Sequence, residues 1–202
     1  MGALDEDARA LGDRIAARAR GLRQNFAHAG LLTQIEVVAA NPDALNVLRH
    51  AEGCELADIL DAECRQAADR FGRQDNLVLH LSSCHVSMGS AALSRLVEEL
   101  IANAFSHSVE NSEVVVKCRV ADHSVQVSFE NEIRGRSPRG VPGVETEEAG
   151  NSWPDFDKGY GLRFVRRLVQ VHGGNFGVVP RSRTMVAVQV ELPLVTVADR
   201  GE

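Results

Sequence analysis

The sequence predicts an α+β fold, a two-layer α/β sandwich preceded by an α-helical hairpin. Two observations lead to this prediction. Up to about residue 72, apolar residues recur every three or four positions, which is the period of an amphipathic helix. From residue 76, short alternating runs typical of strands are separated by longer helical patterns. Because two pairs of these runs are joined by short links, we expect a mostly antiparallel sheet with helices on one face.

The N-terminal part, residues 1–53, is predicted to form the helical hairpin. Its first helix has a long apolar stripe that includes Leu11, Ile15 and Phe26. A second helix is expected to start at Pro42, because Asn41 can cap it and proline suits a first helical position. Two helices cannot bury such a stripe alone, so we expect a homodimer through the N-terminal helices.

The second part, residues 54–202, is predicted to form the sandwich. The segment 133–158 is rich in Gly, Pro and Ser and lacks periodicity, so we expect a functional lid there. The predicted elements are, in chain order, a helix at 55–71, a strand at 77–81, a helix at 90–108, strands at 114–120 and 124–129, a helix at 161–172, and strands at 176–179 and 185–192.

Composition narrows the class of protein. The chain has 202 residues, of which 44% are apolar and 25% charged, as in an ordinary soluble domain. A net charge of −6 argues against nucleic acid as a partner, since nucleic-acid binding needs a basic surface. No apolar run approaches the roughly 20 residues that cross a bilayer. The four cysteines lack metal-type spacing, and we expect free thiols in a cytoplasmic protein.

The first chemical motif lies on the helix predicted at 90–108. Glu99 and Asn103 are four residues apart and therefore share one helical face, with His107 one turn further on. An asparagine oxygen suits Mg²⁺, and a glutamate can hold or activate a water or hydroxyl. The same spacing also fits a solvated helix face.

The second motif is a glycine-rich turn before the helix predicted at 161–172. Gly159 and Gly161 let backbone amides approach a phosphate without an intervening Cβ. The positive end of the following helix favours the negative charge. The turn comprises Lys158, Gly159, Tyr160, Gly161 and Leu162.

Together, in this order and about fifty residues apart, the two motifs resemble the ATP-binding catalytic domain of sensor histidine kinases, within the GHKL ATPases. The resemblance covers roughly residues 55–194. It implies ATP and Mg²⁺ as cofactors, Asn103 as the metal ligand and Glu99 as its catalytic companion. It also implies that His107 lies near the phosphates and that the turn at 158–162 contacts the nucleotide.

Two departures from the family pattern bear on the nucleotide. Asn131 stands where the family usually has the aspartate that accepts the adenine amino proton, and an amide oxygen can also accept it. Ile133 replaces a glycine of the same motif. These changes leave open an adaptor that has lost ATP.

The phosphate-accepting histidine also departs from the family. None of the seven histidines is followed by an acidic residue. His28, on the first helix and ahead of a Leu-Leu-Thr run, is the candidate acceptor, and His50 is a weaker one. A lone helical histidine also fits simple packing.

Four functions remain open at this point. The resemblance implies an ATP-dependent protein-histidine kinase that passes phosphate to the aspartate of a response-regulator receiver domain. The alternatives are a phosphotransfer adaptor without ATP, a serine kinase of the anti-sigma-factor type, and an α+β domain of other use. The helical leader of about 70 residues argues against the serine kinase, because those proteins resemble the bare domain.

Overall fold

The computed structural model describes residues 29–49, 53–133 and 160–195, together with positions 11, 12, 19 and 26. The helices are α1 over residues 29–39, α2 (Pro42–Arg49), α3 (Leu56–Phe71), α4 (Ser90–His107) and α5 (Tyr160–Val171), with a short 3-10 turn at Gln74–Asn76. The strands are β1 (Cys54–Glu55), β2 (Leu77–His80), β3 (His85–Val86), β4 (Val114–Val120), β5 (Ser124–Glu132), β6 (Asn175–Pro180) and β7 (Met185–Pro193).

Five strands form the main sheet, in the order β2-β4-β5-β7-β6. Strands β2 and β4 run parallel, and the other pairs are antiparallel. On central strand β5, Val125, Val127 and Phe129 are buried while Gln126 between them is exposed. This alternation arises because successive side chains of a strand point to opposite faces. The predicted sandwich and its two hairpins are therefore confirmed.

In the described part of the N-terminal region, helices α1 and α2 are present, as the sequence predicts. The Asn41 side chain caps α2, because its Oδ1 accepts hydrogen bonds from the backbone N–H groups of Asp43 at 3.0 Å and Ala44 at 3.2 Å. Leu32 and Ile35 of α1 are half-buried and pack against the core.

Two polar contacts join the hairpin to α5. The Arg167 guanidinium donates from Nε and Nη2 to the two carboxylate oxygens of Glu36, each at 2.7 Å. Arg49 Nε donates to the backbone carbonyl of Val171 at 2.9 Å. The backbone carbonyl of Arg49 in turn accepts a hydrogen bond from the Ser87 hydroxyl. These contacts fix the hairpin against the helix that follows the glycine turn.

A small second sheet, β1 with β3, is absent from the sequence prediction. Each strand has two residues, so neither has a period that the sequence could show. Glu55 links this sheet to α3, because its Oε1 accepts from the backbone N–H groups of Ala57 at 3.3 Å and Cys84 at 2.9 Å. The sheet therefore sets the point at which α3 begins.

The four cysteines are free, as expected. Cys64 lies fully buried on α3, and burial, followed by the nearby charges of Asp61 and Glu63, raises its pKa to about 12. A thiol with so high a pKa stays protonated and acts as a small apolar group in the core. None of the helices in the described ranges is long and apolar enough to span a membrane.

Candidate functional site

Helix α4 brings the first motif to the site. The face of α4 that packs into the core carries a stripe of buried apolar residues, and their burial fixes the rotation of the helix about its axis. These residues are Leu93, Leu96, Val97, Leu100, Ile101 and Ala104. With this rotation Glu99 is 7% exposed, Asn103 is half-buried and His107 is exposed. The three side chains follow one another at successive turns, as the sequence predicts.

The carboxylate of Glu99 is held by a neighbouring cation. Arg95 Nη2 lies 3.0 Å from Glu99 Oε1, while Nη1 of the same guanidinium lies 2.8 Å from Glu98 Oε2. The other carboxylate oxygen of Glu98, Oε1, lies 3.2 Å from Nη1 of Arg70 on α3. A nearly buried carboxylate needs such a partner, and the ion pair fixes its orientation one turn before Asn103.

The ends of β5 and α4 meet. Asn131, 2% exposed, lies on the helix-facing side of β5 between β4 and β7. Two residues further on, Ile133 forms a bridge with Ser108, the residue after α4. Val109 N–H donates to the carbonyl of Glu132 at 2.8 Å. The residues that replace the family's adenine-binding motif are thereby tied to the end of α4.

A cavity of about 520 Å³ opens at this junction. Its lining residues are Phe71, Arg73, Phe105, Ser106, His107, Ser108, Glu110 and Ile133. Its volume lies in the range of small-molecule sites. Two positions named in the sequence analysis, His107 and Ile133, line this cavity, whereas Asn103 and Asn131 do not. Sequence reasoning missed the wall formed by Phe71 and Arg73, because nothing local marks the end of α3 as part of a site.

Helix α5 includes the last three residues of the predicted glycine-rich turn, 160–162. It begins at Tyr160, one residue earlier than predicted, and packs against α4 and β6. Leu162, predicted to contact the nucleotide through the turn, is 7% exposed and belongs to the core stripe of α5. Lys158, Gly159, the side chain of Tyr160 and the candidate acceptor His28 lie outside the described residues, as does the predicted lid after Ile133.

His172 closes α5 as a packing residue. It is 2% exposed, and its Nδ1 lies 2.8 Å from the carbonyl of Leu168. Burial is the main cause that lowers the pKa of His172; the hydrogen bond to Leu168 opposes it and the charge of Arg49 adds to it. A buried imidazole cannot contact a phosphate donor, so we assign His172 no role in phosphoryl transfer.

The donor set suits the cofactor that the resemblance implies. Mg²⁺ prefers hard oxygen ligands and shares them between protein and phosphates. Asn103 offers a half-buried amide oxygen, and Glu99 offers an oriented carboxylate one turn away. Residues of this kind fit a Mg²⁺ ion bound together with a nucleotide.

Comparison with known families agrees with this geometry. Residues 89–196 match the family model described as histidine kinase-, DNA gyrase B- and HSP90-like ATPase. The matched region starts just before α4 and includes Glu99, Asn103, Asn131 and α5. It covers more than half of the chain.

Curated relatives include the sensor histidine kinase CusS of Escherichia coli O157:H7 and of strain K12. Each is 27% identical over 104 residues, which cover 50% of this chain and 22% of the relative. The chain thus matches about a fifth of the length of these kinases.

Solved structures show the same fold. The mycobacterial sensor histidine kinase MprB superposes with a TM-score of 0.56 at 20% identity, over 71% of this chain and 98% of the other. The Acinetobacter baumannii histidine kinase AdeS gives 0.53 at 17% identity, over 94% of this chain and 98% of the other. Because this family model matches more than half of the chain, the chain belongs to the histidine kinase-, DNA gyrase B- and HSP90-like ATPases.

Proposed function

We propose that this chain binds Mg-ATP and phosphorylates a histidine, from which the phosphate passes to the aspartate of a receiver domain. The observation that supports this most is that Glu99, oriented by Arg95, and half-buried Asn103 lie one turn apart on α4, and that Ser108, just after α4, bridges to Ile133 at the end of β5. We assign the catalytic part to residues 54–202 and the acceptor and dimer contacts to residues 1–53.

Each site residue has a task in this proposal. Asn103 holds Mg²⁺, which neutralises charge on the transferring phosphates. Asn131 accepts the amino proton of adenine from the floor of the site, and His107 contacts the nucleotide from the end of α4. The backbone amides of residues 158–162 bind phosphate at the positive end of α5.

Phosphoryl transfer takes place on the hairpin. Neutral His28 attacks the γ-phosphorus with a ring-nitrogen lone pair, so an N–P bond forms, the bond to the β-phosphate oxygen breaks and ADP leaves. Glu99 orients or accepts the proton that the attacking group releases. The docking of the hairpin on α5 through Glu36 and Arg167 supports a short path between the two parts.

The exposed face of the first helix supports a dimer. Phe26 and Val37 are 75% and 67% exposed, and Gly30 and Thr33 between them complete a 4-3-4 spacing. This spacing is typical of the seam of a coiled coil or helical bundle. A second copy of the hairpin would cover both apolar side chains, and light scattering at micromolar concentration tests this: we expect twice the monomer mass.

The stability of the phosphorylated product in acid and alkali tests whether the chain phosphorylates a histidine. After incubation with Mg²⁺ and γ-labelled ATP, we expect label that survives alkali and is lost in acid, as for phosphohistidine. The variant His28→Gln should abolish this label, whereas His80→Gln, on strand β2, should retain it. Acid-stable label would favour the serine kinase instead. Label that persists in His28→Gln would overturn the acceptor assignment.

One observation favours the ATP-free adaptor as a second candidate. Ile133 lines the cavity at the end of β5, where the resembled family has a glycine. If its side chain excludes the base, the chain would bind no ATP, yet still take phosphate from a phosphorylated receiver. Transfer from a labelled receiver in the absence of ATP distinguishes this candidate from the kinase.

A further inference from the structure

We propose that Arg73 is a positioning residue of the nucleotide site, which holds the carboxyl-terminal turn of α4, and with it His107, in the geometry that the nucleotide needs. This inference rests on the function proposed above. Arg73 lies two residues after α3, an element outside the two motifs, and its guanidinium reaches the end of α4.

The backbone of Arg73 is fixed by the end of α3. Gly72 takes a left-handed conformation with φ of 63°, which favours glycine. This turn lets Arg73 N–H donate to the carbonyl of Ala68 at 2.9 Å. From this position just after α3, the side chain of Arg73 extends toward the end of α4.

The guanidinium binds both the last turn of α4 and the residues that follow this helix. Nη1 donates to the carbonyl of Phe105 at 3.3 Å and to the hydroxyl of Ser108, and Nη2 donates to the carbonyls of Val109 at 3.2 Å and Ser112 at 2.6 Å. The charged group also lies 5.2 Å from the ring centroid of Phe105. One side chain therefore joins four residues across a single helix end.

Only an arginine fits this arrangement. The last carbonyls of a helix lack donors within the helix, and a cation there is favourable. The planar guanidinium presents several N–H groups at fixed angles, so it can serve carbonyls on two sides at once. A lysine keeps the charge but has a single nitrogen, which cannot reach from Phe105 to Ser112 together.

The same turn of α4 forms part of the site. His107 lies between Phe105 and Ser108, both held by Arg73, and Ser108 bridges to Ile133 at the end of β5. Arg73, His107 and Ile133 all line the cavity. Loosening the turn would displace His107 and the cavity wall while leaving Asn103, one turn earlier, in place.

The test compares Arg73→Lys with the matched variant Arg65→Lys. Arg65 is an exposed residue of α3 whose guanidinium pairs with Asp61. Calorimetry with Mg-ATP and with Mg²⁺ plus inorganic tripolyphosphate is run where all variants are folded. We expect Arg73→Lys to weaken the binding of both ligands roughly tenfold, because the displaced His107 lies near the phosphates, and Arg65→Lys to change neither by more than about twofold. No loss in Arg73→Lys, or an equal loss in Arg65→Lys, would overturn the inference.

A second readout needs no nucleotide. In histidine-ring NMR spectra of the free protein, Arg73→Lys should shift the signals of His107 but not those of His80 or His123, which lie on β2 and after β4. Unshifted His107 signals would overturn the inference even if the variant is less stable. If the parent binds no ATP, the proposed function fails, and this NMR comparison alone decides the role of Arg73.

Discussion

Replacing Asn103 by alanine is expected to lower the rate of ATP-dependent labelling at least about a hundredfold, or roughly 2.7 kcal/mol of transition-state stabilisation. The physical reason is the loss of the amide oxygen that we assign to Mg²⁺, since charge neutralisation at the phosphates is the main catalytic term in phosphoryl transfer. The rate is measured with γ-labelled ATP at saturating Mg²⁺.

The matched control for this variant is Asn175→Ala. Asn175 is an exposed residue of β6 that donates to Glu191 at 3.2 Å, away from α4. Its loss should leave the labelling rate within about twofold, because surface substitutions outside such a site rarely have large effects. Equal activity of the Asn103→Ala variant and the parent would remove Asn103 from the metal site.

The variant Gly174→Ala is expected to destabilise the fold by about 3 kcal/mol, the upper end for an overpacked site. A Cβ at position 174 would lie 2.2 Å from the carbonyl oxygen of Glu191 and 2.9 Å from a methyl group of Val169. The first contact is with the backbone of β7, which cannot rotate away. Denaturant unfolding of parent and variant, with the free energy extrapolated to water, measures the loss.

Gly177→Ala, within strand β6 that begins just after Gly174, supplies the comparison. No atom lies within 4 Å of the position that its Cβ would take, so we expect little change in the free energy of unfolding. Similar losses for the two variants would show that flexibility of β6, and not the close approach of β7 to Gly174, decides the outcome.

The elements with a clear period were predicted from the sequence. Helix α4 has 18 residues, or about five turns, with one buried stripe, and it ends one residue before the predicted end. The cap at Asn41 and the short link at 121–123 depend on local chemistry, so residues a few positions apart suffice to predict them. The spacing of Glu99 and Asn103 similarly fixed their shared face before any tertiary contact was known.

The features that could not be predicted from the sequence depend on contacts between distant parts of the chain. Glu36 and Arg167 are 131 residues apart, and Arg73 reaches Ser112 across 39 residues. No local pattern distinguishes these arginines from other charged residues on a solvated helix face. The cavity wall and the docking of the hairpin on α5 therefore appear only when the tertiary structure is known.

The most direct test of the account is a calorimetric titration of the whole chain with ATP, in the presence and in the absence of Mg²⁺. We predict micromolar binding that requires the metal, because Asn103, the ligand that we assign, would supply only part of the metal's coordination and the phosphates would supply more of it. No binding at millimolar ATP with Mg²⁺ would contradict it and would leave the phosphotransfer adaptor as the function of this fold.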